Sequence, residues 1–166
     1  MTLEELITKS ENPAYYTHAT KNLTEEQLKN FTSYANELSQ SGASDPLSWA
    51  YSEAKEGIAQ RARYYLLSEL FKLSEDISLA SSDADYFNPQ QGETLEKIEG
   101  AIGQDELTQF LQAYGKSLIN GVVNILDDSN YGLGRVGWEI RELDQDSAST
   151  GRPISGLHED WLDFRT

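Results

Sequence analysis

The chain has 166 residues, 38% of them hydrophobic, and a formal net charge of −15. This length and hydrophobic content predict one folded domain over residues 1–166, with a core that needs no covalent staples. The absence of cysteine excludes disulfides, thiolate catalysis and Cys-ligated zinc or iron–sulfur sites. The acidity makes nucleic acid and anionic membranes unsuitable partners, because like charges repel.

The N-terminal sequence gives no sign of export. Residues 1–6 lack the basic segment and the apolar segment of a secretory signal. No apolar run approaches the roughly 20 residues of a membrane-spanning helix. We therefore expect a cytoplasmic protein.

The N-terminal quarter predicts two helices separated by a loop. A capping box at Thr2 and Glu5 opens a short helix that ends before Pro13. Residues 14–20 have no clean period and are predicted to be a loop. A second capping box, Thr24 with Gln27, opens the next helix, which ends near residues 39–42.

A long helix is predicted to begin at Asp45-Pro46. Asp45 suits the N-cap, and proline in the first turn loses no hydrogen bond. Helical spacing of apolar residues then continues for roughly 30 residues, which would make a helix about 45 Å long, so Gly57 is a candidate break.

The middle of the chain predicts a surface loop over residues 81–92 and then two helices. A short helix follows the loop, and apolar residues recur at three- and four-residue steps across residues 105–127. We expect this second helix to be the core helix. Gly115 and Gly121 inside it predict the close approach of a backbone or a ring, since each costs about 1 kcal/mol relative to alanine.

The C-terminal segment predicts a small β element. Apolar residues alternate with others over residues 136–141, a polar loop follows over 144–151, and residues 152–155 return as a strand with Pro153 on an edge. A short final helix is predicted to contain Trp161. The sequence therefore predicts a mainly α (α+β) fold: a bundle of about five to six helices over 1–128, with a short C-terminal β-hairpin and terminal helix over 133–166 packed on it.

No cofactor is expected. Gly132, Gly134 and Gly137 match the dinucleotide-binding spacing, but that motif requires a strand before the glycines and a helix after them. Here the predicted order is reversed. A turn from helix to strand is the better interpretation.

Two acidic loops are candidates for divalent metal binding. The candidate ligands are Asp127, Asp128, Asp144 and Asp146. Neither loop has the glutamate that a calcium loop places at its twelfth position, so a carboxylate-rich turn is the alternative interpretation of each. His158 beside Glu159 is the candidate for acid–base catalysis, because histidine titrates near neutrality.

A protein partner is the favoured interpretation. Acidic residues are densest over residues 81–134, which contain nine acidic and two basic residues. A small, acidic, cysteine-free chain without a catalytic motif is typical of a cytoplasmic immunity protein or antitoxin that neutralises a basic toxin. The candidate partner-binding residues are Asp127, Asp128, Glu139, Asp144, Asp146, Glu159, Asp160 and Trp161.

Three alternatives stay open. One is an enzyme of unrecognised type that uses His158 with Glu159, or a metal held by the acidic loops. Another is a nucleic-acid mimic that acts on a DNA-binding system, although 13 interspersed basic residues weaken the mimicry. The third concerns assembly: an exposed side of the helix around residues 49–71 could pair with a second copy to form a homodimer.

Overall fold

The computed structural model describes residues 2–76, 90–127 and 139–164. These residues form eight α-helices and one antiparallel pair of strands, which confirms the mainly α class with a small C-terminal hairpin. The helices outnumber the five to six predicted because residues 13–19 are helical and the long helix predicted from Pro46 is two helices. None of the described helices has both the length and the apolar character needed to cross a membrane.

The first two helices are short. Helix α1 spans Leu3–Lys9 and begins with the predicted capping box. The loop predicted for residues 14–20 is wrong, because Pro13–Ala19 forms helix α2. Its first residue is proline, whose missing N–H is not needed there. Only Tyr16 and Ala19 of this helix are buried, so the segment shows no repeated apolar period.

A 3-10 turn leads into the first long helix. Helix α3 spans Glu25–Gln40 and starts at the predicted box, in which the Thr24 hydroxyl accepts the N–H of Gln27 and the Gln27 side chain accepts the N–H of Thr24. One face of α3 is fully buried and packs against the following helix. That face consists of Phe31, Ala35 and Leu38.

The long predicted helix breaks where the glycine stands. Helix α4 spans Pro46–Glu56 and helix α5 spans Gln60–Glu75. Gly57 ends α4 with a φ of +73°, a left-handed conformation that glycine adopts without steric cost. The side chain of Asp45 accepts the N–H of Ser48, as expected of the N-cap. The break lets α5 turn back and pack on α4.

Two helices follow the segment that begins at residue 90. Helix α6 spans Gln91–Ile102 and helix α7 spans Gln104–Asp127, close to the predicted 105–127. Helix α7 packs on α5, but its buried residues are only Leu107, Ile119 and Val123. The expectation of a core helix is therefore wrong for much of its length. Most of the loop predicted over 81–92 lies outside the described residues.

The hairpin and a last helix close the chain. Strand β1 spans Ile140–Leu143 and pairs antiparallel with strand β2, Ser149–Ile154. Pro153 lies in β2 of this two-stranded sheet, where both strands are edges, as predicted. Helix α8 spans Leu157–Trp161 and packs on α7 and α5. Residues 136–138 of the predicted strand and the glycines at 132, 134 and 137 lie outside the described residues.

The core lies between α3, α4, α5, α7 and α8. Fully buried positions come from all five helices, and aromatic rings join several of them. Tyr64 lies 5.8 Å from both Trp49 and Phe164, measured between ring centroids. The largest buried side chains are Tyr64, Phe31, Leu38, Leu47, Leu67, Leu157, Glu53 and Val123.

Candidate interaction surface and acid–base group

Helix α7 exposes a row of large apolar side chains. Phe110, Tyr114, Leu118 and Ile125 are 64, 59, 56 and 60% exposed. Gly121 lies between the last two. These five residues follow one another at steps of three and four, so a helix of 3.6 residues per turn places them within an arc of roughly 80°. We call these five residues the α7 stripe.

The α7 stripe lies away from the face of α7 that packs on the rest of the chain. That packed face carries Ile119 and Val123, whereas the third buried residue of α7, Leu107, lies on the side of the stripe, three residues before its first member. A Cβ atom added at Gly115 would lie 2.8 Å from the carbonyl oxygen of Ser74, so the predicted close approach of a backbone is confirmed at this glycine. It is wrong at Gly121, where a Cβ atom would meet nothing within 4 Å.

The α7 stripe belongs to a segment almost without charge. Between residues 107 and 126 the one charged side chain is Lys116, whose Nζ lies 2.5 Å from Oε1 of Glu75. In a chain with 25% charged residues, the α7 stripe itself carries no charged side chain. The α7 stripe can therefore bury against a partner without desolvating a charge.

Acidic residues are concentrated in the segment of the chain that directly precedes the α7 stripe. Residues 91–106 contain five acids and one base, Lys97. No ion pair joins these acids to another described residue. Helix α6, which carries three of them, has no buried residue, and its apolar side chains Ile98 and Ile102 are also exposed. The five acids, called the α6–α7 acids below, are Glu93, Glu96, Glu99, Asp105 and Glu106.

His158 pairs with Asp127 at the junction of α7 and α8. Nδ1 of His158 lies 2.8 Å from Oδ2 of Asp127, and the backbone N–H of His158 donates to the same oxygen at 2.7 Å. The Asp127 side chain is 7% exposed, whereas His158 is mostly exposed. Burial raises the pKa of Asp127, but hydrogen bonds from His158 and from the Leu157 backbone outweigh it and leave that pKa below its ordinary value.

Glu159 is directed to a different partner. Glu159 and Asp160 lie 3.4 Å and 2.6 Å from Nη2 of Arg63, which also donates to the carbonyl of Gly156. Arg63 is nearly buried in α5, so these contacts fasten α8 to α5. Burial raises the pKa of Asp160, and the Arg63 charge opposes that rise. His158 and Glu159 thus contact different groups, although both line a cavity of about 410 Å³ that also includes Ser155.

The other predicted site residues are spread over the C-terminal part of the chain. Glu139 pairs with Arg141 at 2.6 Å, and Asp144 accepts the N–H groups of Asp146 and Ala148 at 2.9 Å, which forms the hairpin turn. Trp161 is buried against Phe71. Asp128 lies outside the described residues.

No metal site is formed by the residues that the structure describes. Within 2–76, 90–127 and 139–164, no group of three or more histidine or acidic side chains could hold a metal ion. Asp127 is engaged by His158, and Asp144 by the backbone of its own turn. Of the candidate ligands, Asp127 and Asp144 therefore serve as hydrogen-bond acceptors.

A buried ionic cluster that the sequence analysis does not predict joins the hairpin to the helices. The side chain of Glu53 in α4 is fully buried and accepts the Arg61 backbone N–H at 2.6 Å. Its Oε1 also lies 3.1 Å from Nε of Arg61 and 3.1 Å from Nη1 of Arg152 in β2. Arg152 in turn lies 2.5 Å from Glu142 of β1. Glu53 follows Leu47 and Ala50 at three-residue steps, so helical spacing places it on the same side of α4 as these two apolar residues. That spacing is the signal in the sequence that Glu53 is buried.

No protein-family model matches the chain. The comparisons with curated proteins and with solved structures also gave no match.

Proposed function

We propose that this chain is a non-enzymatic acidic binding protein of the cytoplasm that engages a basic protein, in the manner of an immunity protein or antitoxin that occludes a toxin. The observation that carries this proposal is the exposed α7 stripe, which directly follows the α6–α7 acids along the chain. An apolar centre with a charged margin is the usual composition of a protein interface.

The apolar centre is large enough to matter. Four large side chains, each more than half exposed, present on the order of 400 Å² of contiguous apolar surface, comparable to the largest patch on an ordinary monomer. Such patches are often functional. Phe110 and Tyr114 belong to the aromatic class that is enriched in protein interfaces and bury large areas at low entropic cost.

The charged margin indicates the kind of partner. Five acids and one base over residues 91–106 attract a basic surface and accelerate its encounter, with an effect that weakens as salt rises. A nucleic-acid mimic would need carboxylates along the same surface. Residues 107–126 contain none, which favours a basic protein over a DNA-binding groove as the target.

The test starts from partner identification. The tagged chain is incubated with lysate of the native cell at low salt and eluted with rising salt, and the eluted protein is identified, purified and assayed for an activity that the chain inhibits. The double variant Glu96→Lys, Glu99→Lys is compared with Glu11→Lys, Glu56→Lys, which changes the net charge equally outside α6. We expect binding of the purified partner to weaken at least tenfold in the first variant only.

Two results would count against the proposal. One is a partner that is acidic or neutral, or whose binding does not change with salt. The other is equal weakening by the two double variants, because net charge alone would then explain the association. Positions 96 and 99 lie in the middle and last turns of α6. A positive charge near the C-terminal end of a helix is favourable, so the variant Glu96→Lys, Glu99→Lys should remain folded.

An enzyme that uses His158 is a second candidate, favoured by one observation. Asp127 holds Nδ1 of His158, which leaves Nε2 for proton transfer beside the cavity that Ser155 lines. The chain is assayed against ester, phosphodiester and peptide substrates together with His158→Ala. Turnover lost in the variant, with the free energy of unfolding unchanged, would support this candidate; no turnover in the wild type would remove it.

A further inference from the structure

We propose that the partner binds the α7 stripe as a single amphipathic helix, with its basic residues at the end that faces the α6–α7 acids. This inference rests on the proposed function and specifies the form of partner that the α7 stripe accepts. It is argued from the shape of the stripe, from the gap at Gly121 and from the distribution of charge along α7.

The shape of the α7 stripe matches one helix. From Phe110 to Ile125 the stripe extends for about 22 Å along the axis, at 1.5 Å per residue. Its steps of three and four residues are those of the seam between two packed helices. Helix-in-groove recognition uses anchors at the same spacing, so a partner helix of about four turns would contact every member of the stripe.

Gly121 leaves a gap in the α7 stripe that a side chain of the partner can fill. A Cβ atom at this residue would have no heavy atom within 4 Å, and the exposed side chains of Leu118 and Ile125 lie on either side of it along the same face. A large apolar side chain of the partner can enter this gap and pack between the two, as a knob enters a hole in paired helices. The glycine costs about 1 kcal/mol in a helix interior, and here no contact within the described fold accounts for it.

The charge along α7 sets the direction of the partner. Asp105 and Glu106 lie exposed in the first turn, and the next charge is the paired Lys116. The acid in the last turn, Asp127, has a side chain only 7% exposed and is held by His158. Among the described residues of α7, basic residues of the partner therefore find exposed acids at the first turn only. A second copy of this chain is a poor occupant, because α7 offers no base in its first or last turn in either orientation.

The probe is a synthetic helical peptide of about 18 residues, with leucine at heptad seam positions and lysines confined to one end. Its control has the same composition in scrambled order. Binding to the full chain is measured by fluorescence anisotropy at low salt and high salt. We expect the peptide to bind at least tenfold more tightly than its control, and more weakly at high salt.

Matched variants locate the binding site. Leu118→Glu places a charge in the middle of the α7 stripe, and Leu143→Glu makes the same change at an equally exposed leucine, 58% exposed, in β1. We expect Leu118→Glu to weaken peptide binding at least tenfold and Leu143→Glu to leave it unchanged. Equal effects of the two variants, or no preference for the peptide over its scrambled control, would overturn the inference.

The two proposals can fail separately. If a purified basic partner binds the wild type and Leu118→Glu equally, the helical docking mode is wrong and the proposed function stands. If the peptide binds at the α7 stripe but no basic protein is inhibited, the proposed function is wrong and the docking mode stands. A wild-type dimer in sedimentation that Leu118→Glu converts to monomer would overturn the inference in favour of a second copy.

Discussion

Asp127 joins two elements that are distant in sequence. It ends α7, and its carboxylate accepts the backbone N–H and the imidazole of His158, 31 residues later. Composition identified both residues as candidates, because acids and histidines are the groups that carry such chemistry. Their pairing could not be predicted, since it depends on how α8 packs against α7, and the neighbour that the sequence suggested, Glu159, contacts Arg63.

Asp127→Asn tests this contact through pH. The folded chain keeps Asp127 ionised to a lower pH than the unfolded chain does, because its pKa is lowered. Its contribution to stability is therefore present above the ordinary pKa of 3.8 and is lost as the pH falls through the lower folded value. At pH 7 we expect the variant to lose about 1–2 kcal/mol in the free energy of unfolding.

The pH dependence supplies the control. Urea unfolding of the wild type and of Asp127→Asn at a series of pH values should give curves that converge below 3.8. A difference that stays constant down to the lowest pH would show that the charge of Asp127 is not what stabilises the junction of α7 and α8.

At the scale of elements, α7 shows what periodicity establishes and what it leaves open. The repeat over residues 105–127 correctly predicted a helix and the residues that share a face. It did not tell which face is covered, because Leu118 and Ile119 are equally apolar and only Ile119 is buried. Helix α2 could not be predicted for the opposite reason: it is too short to show a period, and its one signal, Pro13, equally indicates the end of α1.

The two glycines of α7 make a matched pair of substitutions. Gly115→Ala would bring a Cβ atom to 2.8 Å from the Ser74 carbonyl oxygen, so α7 must move away from the end of α5. We expect a loss of about 1–3 kcal/mol in the free energy of unfolding. Gly121→Ala meets no atom within 4 Å and should gain about 0.5–1 kcal/mol from helix propensity.

Thermal or urea unfolding of both glycine variants would measure these changes. Opposite signs are the expected outcome. If Gly115→Ala proved as stable as the wild type, the packing of α7 on α5 described above would be wrong.

The buried cluster around Glu53 predicts how firmly the hairpin is held. Glu53→Gln keeps the size of the side chain but leaves Arg61 and Arg152 without their shared buried carboxylate. We expect a loss of about 3–5 kcal/mol in the free energy of unfolding. Amide hydrogen exchange in β1 and β2 should accelerate, because Arg152 links the hairpin to α4.

Glu69→Gln is the control for that substitution. Glu69 pairs with Lys72 at 2.7 Å on the surface, and its side chain is 73% exposed. Breaking such a pair should change the free energy of unfolding by less than about 1 kcal/mol. Similar losses in the two variants would mean that the Glu53 cluster contributes no more than an ordinary surface pair.

For the whole molecule, the sequence predicted the fold class and the order of the helices and strands better than it predicted the candidate interaction surface. The capping box of Thr24 with Gln27, helical spacing and the change of period near residue 140 were enough to predict a mainly α chain that ends in a hairpin. The candidate surface was not predictable in the same way. It consists of apolar residues that one side of α7 leaves exposed, and exposure is a property of the assembled fold.

A basic protein that binds α6 and the α7 stripe should protect their amides from hydrogen exchange. The exchange of the full chain is measured with and without the purified partner. Helix α6 has no buried residue, so its amides should exchange readily in the free chain. We expect the partner to slow exchange over residues 91–127 and to leave residues 140–154 unchanged. Protection of the hairpin with none in α6 and α7 would show that the partner binds elsewhere.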